Sequence, residues 1–396
     1  MYGAGNIGRG FIGQIFAQSG YEVCFIDIAR PVIDALNRDG RYPIRILRED
    51  GSEDIWIEGV RAVNAAAAGD AAAQAIAEAD IMATAVGVRA IPLIAPVTAS
   101  GLKKRFTFNS NPLNIIICEN LIDADMLLER SIKDHLNEEE RRLFDERVGL
   151  VKASIGRMVP IQTAAMQDGN ILRVCVEEYG FLPVNEPAFK GDIPLLVGMH
   201  AFSRFDFCIE QKLFIHNMAH AVCAYLGMIR GEVYIAETME HGDVRYIVQS
   251  AMLESAHALS AKHHIPFADL HAHVQDLLRR FSNKALADTC ARVGADIARK
   301  LGNEDRLIGA MRLCAEQGIE APFISAGAAA ALYCFLREKG VCQNRETAQA
   351  VLSETAGIAV GSAIAKNVLP FYAVLASCPL PGDFDSIIKK IIRLVR

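Results

Sequence analysis

Met1-Tyr2-Gly3-Ala4-Gly5-Asn6-Ile7-Gly8-Arg9-Gly10 is the stretch whose spacing decides the fold. Gly3, Gly5 and Gly8 form G-x-G-x-x-G, whose glycines permit a tight turn, close backbone approach to a pyrophosphate and close helix–strand packing. A helix expected over 10–19 would offer its unpaired N–H groups and positive dipole end to the phosphates. Ala4, Asn6 and Ile7 lie between the glycines and share the expected cofactor contacts. The apolar run 21–27 then reads as a strand ending at Asp27. A carboxylate about twenty residues past the turn accepts hydrogen bonds from the adenosine ribose and repels a 2′-phosphate. The cofactor expected is therefore NAD rather than NADP.

A buried strand of about five residues should precede the first glycine, yet only Met1 and Tyr2 do. The central strand of the sheet is expected to be nearly missing. Either the natural chain starts upstream of Met1, or the strand is truncated and cofactor binding is weakened.

Further along, short β-branched runs alternate with helical patterns, as in a parallel α/β fold. A helix is expected over about 30–37 and another over 65–78. The segments 80–87 and 114–120 read as buried strands with polar C-terminal ends, the edge at which open α/β sheets bind ligands. Thr84 and Val86 at the first of these ends join the expected cofactor contacts. From about Phe202 the patterns become long and helical: 204–229, 243–264, 266–281, 303–316 and 322–339. Asp243 suits an N-cap, and Pro266 and Pro322 suit a first helical turn. The expected organisation is a Rossmann-type dinucleotide-binding domain over 1–195 and a mainly α-helical substrate domain over 196–396.

Composition excludes several function classes. The chain has 396 residues, 52% hydrophobic and 22% charged, with 41 Lys+Arg against 47 Asp+Glu and a net charge of -6. So apolar a chain buries a large core, and a mildly acidic balance argues against a nucleic-acid or anionic-membrane surface. The most apolar windows, 324–336 and 367–380, are too short to span a bilayer and read as buried helices. No leader pattern is seen, and the ten cysteines are scattered without a C-x-x-C pair. Reduced, mostly buried thiols in a cytoplasmic protein are expected. The expected partner is a small molecule, and the protein is expected to be a monomer or a small homo-oligomer.

The segment 210–220, EQKLFIHNMAH, carries the groups that hydride chemistry at a carbinol needs: a proton acceptor, and donors for the developing alkoxide. At about 100° per residue, His220 falls about 80° and Asn217 about 140° from Lys212, so the three share one side of a helix. Leu213 and Phe214 would desolvate Lys212 and lower its pKa. Taken alone, a solvated lysine beside a hydrogen-bonded core histidine is the stronger reading of these residues. His216 reads as packing or support. The pairs His263–His264 and His271–His273 lack ligand partners at metal spacing, so no metal site is expected.

Several separated motifs in one order resemble the polyol-specific long-chain dehydrogenases. They are Gly3 to Gly13 (GAGNIGRGFIG), Pro112-Leu113-Asn114-Ile115-Ile116 leading to Cys118-Glu119-Asn120, and Lys212-Leu213-Phe214 with Asn217 and His220. Ala219-His220, Ala224 to Gly227 and Asp305-Arg306-Leu307-Ile308 extend the likeness over nearly the whole chain. The resemblance implies a zinc-independent, NAD-linked oxidation of a polyol phosphate. It maps the family's K-x-x-x-x-N-x-x-H motif onto Lys212 as general base, Asn217 as a donor to the reacting oxygen and His220 as the substrate-orienting group. It assigns Asn120 to the same oxygen as Asn217. Two positions depart from the family pattern. Gly156 stands where an Asp usually precedes R-[IM]-V-P, and Gly309-Ala310 replaces a usual Lys-Pro. Arg157, Arg299 and Arg306 are the candidate substrate-binding cations, with Arg292 and Lys300 as further phosphate partners. An unphosphorylated polyol, a sugar acid, or non-catalytic NAD binding are the alternatives.

Overall fold

The computed structural model describes residues 1–377 and 384–395. The chain divides into two units, Met1–Cys208 and Ile209–Arg396. In the first unit the strands are β1 (Val23–Asp27), β2 (Arg41–Arg48), β3 (Gly51–Glu58), β4 (Val60–Asn64), β5 (Ile81–Thr84), β6 (Leu113–Ile117), β7 (Val148–Lys152), β8 (Val174–Glu177), β9 (Leu182–Asn185) and β10 (Met199–Phe202). Parallel pairing joins β1 to β4, β5 to β6 and β6 to β7. Their apolar runs are buried on both faces, as parallel sheets require: Phe25, Ile116 and Val151 are each fully buried.

Between β1 and β5, where the central strand belongs, the chain supplies two residues. Tyr2 forms parallel bridges to both Ile26 and Thr84. Its N–H donates to the Ala83 carbonyl at 2.8 Å and its carbonyl accepts from Ala85 at 2.9 Å. On the other side, Ile26 N–H donates to the Met1 carbonyl and Gly3 N–H to the Ile26 carbonyl, both at 2.8 Å. The expected gap is thus a two-residue stitch. Beside it lies a cavity of about 80 Å³ lined by Met1, Tyr2, Tyr21, Cys24, Asp80 and Met82.

The hairpin of β2 and β3 pairs antiparallel from Arg41↔Glu58 to Arg48↔Gly51, and β8 adds to β2 in parallel. This sheet was not expected from the sequence, because β3 is mostly exposed and its leading residues Ser52, Glu53 and Asp54 show no apolar alternation. The first unit also extends past the expected end at 195. The strand β10 pairs in parallel with β9, which keeps residues 199–202 with the sheets that precede them.

The second unit is helical. Its main helices are Met218–Arg230, Gly242–His263, Phe267–Phe281, Ile308–Glu316, Pro322–Glu338, Arg345–Ala356, Ala363–Ala376 and Phe384–Val395. The Ala- and Gly-rich face of Pro322–Glu338 lets Met218–Arg230 approach closely. A Cβ added at Gly327 would lie 2.3 Å from a Val222 methyl. Asp243 falls inside the first turn of its helix, with His241 as N-cap. The expected helix 303–316 starts only at Ile308. The last residues of the apolar window 367–380, and Cys378 with them, lie outside the described residues. Among the described residues no helix is long and apolar enough to cross a membrane.

Candidate active site

The glycine turn shows why each of its glycines is required. Gly3 has φ +99°, and a Cβ there would sit 2.4 Å from the Ala85 carbonyl oxygen. At Gly8 a Cβ would lie 2.0 Å from the Gly3 carbonyl oxygen, and at Gly10 it would meet Val174 and Val176 of β8. Gly5 differs, with nothing within 4 Å of its added Cβ. Gly5 and Asn6 are exposed at the start of the helix, whose first N–H groups have no partner within the helix. An open backbone edge with unpaired donors is what a pyrophosphate needs, so the residues present fit the dinucleotide. This helix is not regular. Asn6 and Ile7 lead into a π turn, Gly8–Ile12, and the helix is α-helical again over Gly13–Gln18.

Buried side chains hold the turn in place. Arg9 donates to the Ala4 carbonyl at 2.6 Å and to the Leu172 carbonyl, and the Tyr42 hydroxyl donates to the Arg9 carbonyl at 2.8 Å. Asp27 closes the turn from β1. It accepts from Ala4 N–H at 2.6 Å, and from Ile28 and Ala29 N–H at 2.7 and 2.9 Å. An ionised carboxylate has about four acceptor positions, so ribose hydroxyls can still be served. At the neighbouring strand ends, Thr84 is buried and its hydroxyl has no hydrogen-bond partner among the described residues. The Val86 and Gly87 N–H groups both donate to the Glu119 carboxylate at 2.8 Å. Glu119, given no role by sequence reasoning, therefore shapes the loop that carries Val86. Asn120 follows it and is exposed.

Arg157 has surroundings that differ from those expected of a substrate cation. It is 6% exposed and lies over the Phe11 ring. It donates to the Gly10 carbonyl at 2.8 Å, the Gln14 amide oxygen at 2.7 Å and the Tyr179 carbonyl at 2.5 Å. These contacts brace the glycine-turn helix. Nearby, a Cβ on Gly156 would lie 3.0 Å from the Tyr179 ring, so an acid at this position would need that ring to yield.

In the second unit Lys212, Asn217 and His220 follow one another along one helical run. The expected uniform helix 204–229 is in fact three pieces: Phe205–Gln211 (α), Lys212–Asn217 (π) and Met218–Arg230 (α). A π turn inserts a residue relative to α-helical spacing and recurs at functional sites. The angles counted at 100° per residue therefore do not hold across it. Lys212 and Asn217 are half-buried and bracket the turn. Just before it, the Glu210 carboxylate accepts from Lys262 at 2.6 Å and pairs with His263 at 2.7 Å, tying it to the end of Gly242–His263.

His220 stacks on Phe281 with ring centroids 4.6 Å apart. Its Nε2 lies 3.3 Å from the buried Asp288 carboxylate. Burial, followed by the charges of Arg292 and Arg306, lowers the His220 pKa against the opposing pull of Asp288. His216, wholly buried, is pushed well below the usual histidine range, first by burial and then by Arg280. Asp288, bonded by Arg292 and close to His220, is held down at about 2 in spite of its burial.

Of the expected substrate cations, Arg299 pairs with Asp296 at 2.5 Å and Asp305 at 2.9 Å, while Arg306 pairs with Asp305 at 2.8 Å. Lys300 is buried and donates to the Val293 and Ala295 carbonyls. Burial, then Arg306 and Arg299, bring its pKa down to about 8. Gly309 has no room for a side chain, since a Cβ would lie 2.8 Å from both the Glu304 carbonyl oxygen and the Phe214 ring.

A glycine turn closed by an acidic strand end, followed by a helical unit with a lysine-asparagine-histidine run, defines an NAD-dependent dehydrogenase of the Rossmann type. Residues 1–197 match the mannitol dehydrogenase Rossmann domain and residues 206–356 the mannitol dehydrogenase C-terminal domain. The chain belongs to the mannitol dehydrogenase family. It is 37% identical over 331 residues to the mannitol-1-phosphate 5-dehydrogenase of Bacillus licheniformis, covering 84% of this chain and 86% of that one. With the enzyme of the same name from Bacillus subtilis it shares 34% over 366 residues, 90% of this chain and 94% of the other. The fold resembles Pseudomonas fluorescens mannitol 2-dehydrogenase, solved with NAD and D-mannitol, with a TM-score of 0.75 at 17% identity over 99% of this chain and 93% of that one.

Proposed function

We propose that the protein interconverts mannitol 1-phosphate and fructose 6-phosphate by hydride transfer, without zinc and with Lys212 as the proton-transfer group. NAD, when bound, supplies the hydride acceptor. In oxidation Lys212 would take the substrate hydroxyl proton as the carbonyl forms. In reduction Lys212 returns that proton. Asn217 donates its amide hydrogen to the oxygen as negative charge develops, which favours the transition state over the neutral ground state. Asn120 is proposed as a second amide donor, and His220 as the group that orients the substrate. Arg157 is reassigned to supporting the glycine turn.

The observation that carries this reading is the run Lys212–His220, where Lys212, Asn217 and His220, with the buried His216, are the polar groups on a segment containing a π turn. The names of the relatives favour a phosphorylated substrate. So does the local charge: Arg299 and Arg306 pair with Asp296 and Asp305, and the neighbouring Lys300, held on backbone carbonyls, adds a third cation. A second reading keeps the hydride chemistry but takes an unphosphorylated polyol. It is favoured by Gly309, which cannot carry a cationic side chain.

NADH oxidation assayed with fructose 6-phosphate beside fructose separates the two. Turnover with the phosphate alone is expected. Turnover with fructose alone would establish the second reading, and NADH binding without turnover on either would move the substrate outside both.

A further inference from the structure

Asp288 stands in a short segment whose backbone is held from several sides. Its carbonyl accepts from Ile235 N–H at 2.9 Å, and Cys290 N–H donates to the Val233 carbonyl at 2.9 Å. Tyr234 and Thr289 form an antiparallel bridge, and the Thr289 hydroxyl caps Arg292 N–H at 3.2 Å. The preceding residue, Ala287, adopts φ +45°, a conformation that an L-residue without a polar side chain rarely holds unless its surroundings impose it. The carboxylate is fixed as firmly. Arg292 donates to Oδ1 at 2.7 Å and to Oδ2 at 2.6 Å, and Oδ2 also lies 3.3 Å from His220 Nε2. Phe281, stacked at an interplanar angle of 17°, restrains the imidazole ring from rotating.

An ionised carboxylate only accepts hydrogen bonds, and His220 Nε2, 3.3 Å from it, has no aligned hydrogen-bond partner among the described residues, so the negative charge favours the tautomer that places the hydrogen on Nε2. We infer that Asp288 is a positioning residue that holds His220 in the Nε2–H tautomer and leaves Nδ1 as an unprotonated acceptor for a substrate hydroxyl. The bidentate Arg292 offsets most of the Asp288 charge, so the carboxylate orients the ring without drawing a second proton onto it. Burial and the two arginines act in the same direction. An acceptor here selects a hydroxyl, which can donate, over a carboxylate, which cannot. The inference thus deepens the proposed function toward polyols and against sugar acids, and it rests on the assignment of His220 to the substrate.

The test begins without substrate. Two-bond 1H–15N correlation on histidine-labelled protein at neutral pH, with His220 assigned by its loss in His220→Gln, should show a protonated Nε2 and a bare Nδ1. A protonated Nδ1 would overturn the inference. In Asp288→Asn an amide N–H facing Nε2 should switch the tautomer. It should also raise the KM for fructose 6-phosphate about tenfold or more, with NADH binding by fluorescence titration unchanged. Asp288→Glu, which keeps a carboxylate, should retain the wild-type tautomer and recover part of the loss. A folded Asp288→Asn with wild-type tautomer and KM would sink the idea. If that variant does not fold, the wild-type and Asp288→Glu spectra decide. Lack of wild-type turnover on fructose 6-phosphate would count against the proposed substrate alone, because the tautomer is read independently.

Discussion

One methyl group added to the glycine turn has different consequences at two positions. At Gly8 it would collide with the Gly3 carbonyl, whereas at Gly5 it meets no protein atom. Gly8→Ala should therefore destabilise the protein by about 1–3 kcal/mol. Gly5→Ala should leave the Tm nearly unchanged yet weaken NADH binding, because its cost appears only when a pyrophosphate needs that space. Thermal melts beside NADH titrations check both. Lys212→Ala should lower kcat by about 10²–10⁴-fold with NADH affinity retained, and equal loss of both would make Lys212 structural. Arg157→Lys should weaken NADH binding and stability, since a lysine cannot reproduce the three directed bonds to Gly10, Gln14 and Tyr179; a change confined to sugar KM would contradict this. The glycines were legible in the sequence because their requirement is local. Arg157 was not, because the groups it bonds at Gly10 and Gln14 lie more than a hundred residues away along the chain.

Among the elements, the π turn at Lys212–Asn217 sets the spacing of the reacting groups. Deleting one residue between Leu213 and His216 should convert the π turn to regular α-helix and change the placement of Lys212 relative to Asn217 and His220. Turnover should vanish while helical circular dichroism persists. Another element-level dependence lies at Pro322–Glu338, whose first Phe323 and Ile324 N–H groups donate to Glu254, each at 2.9 Å, from the helix Gly242–His263. Glu254→Ala should cost about 1–3 kcal/mol in denaturant melts, with most of the loss regained in Glu254→Gln. The long helices were visible through their 3.6-residue period and their prolines. That period passes over a π turn, since apolar residues still recur on both sides of it, and it says nothing of a cap supplied by another helix.

At the scale of the whole molecule, the buried His216 and the half-buried His273 contribute to the response to acid. Burial, then Arg280, pushes His273 down to about 4, and His216 is depressed by the same causes. Below pH 6.5 the unfolded chain takes up these protons before the native one does. Stability is therefore full above about pH 6.5 and falls as pH drops toward 4, by at most about 3 kcal/mol for His273. His273→Gln should flatten part of that slope in melts between pH 4 and 7.

The two-residue stitch at Tyr2 joins β1 to β5 and leads directly into the glycine turn, so sheet cohesion and cofactor affinity are thermodynamically linked. A ligand held by the turn draws the opening equilibrium of the sheet's midline toward the closed form, by about 2.7 kcal/mol at a hundredfold excess over Kd. Saturating NADH should accordingly slow deuterium uptake at the Tyr2, Gly3, Ile26 and Ala85 amides more than at the outer strand β7. In this chain the coenzyme would serve as a mortar for the sheet as well as a reactant.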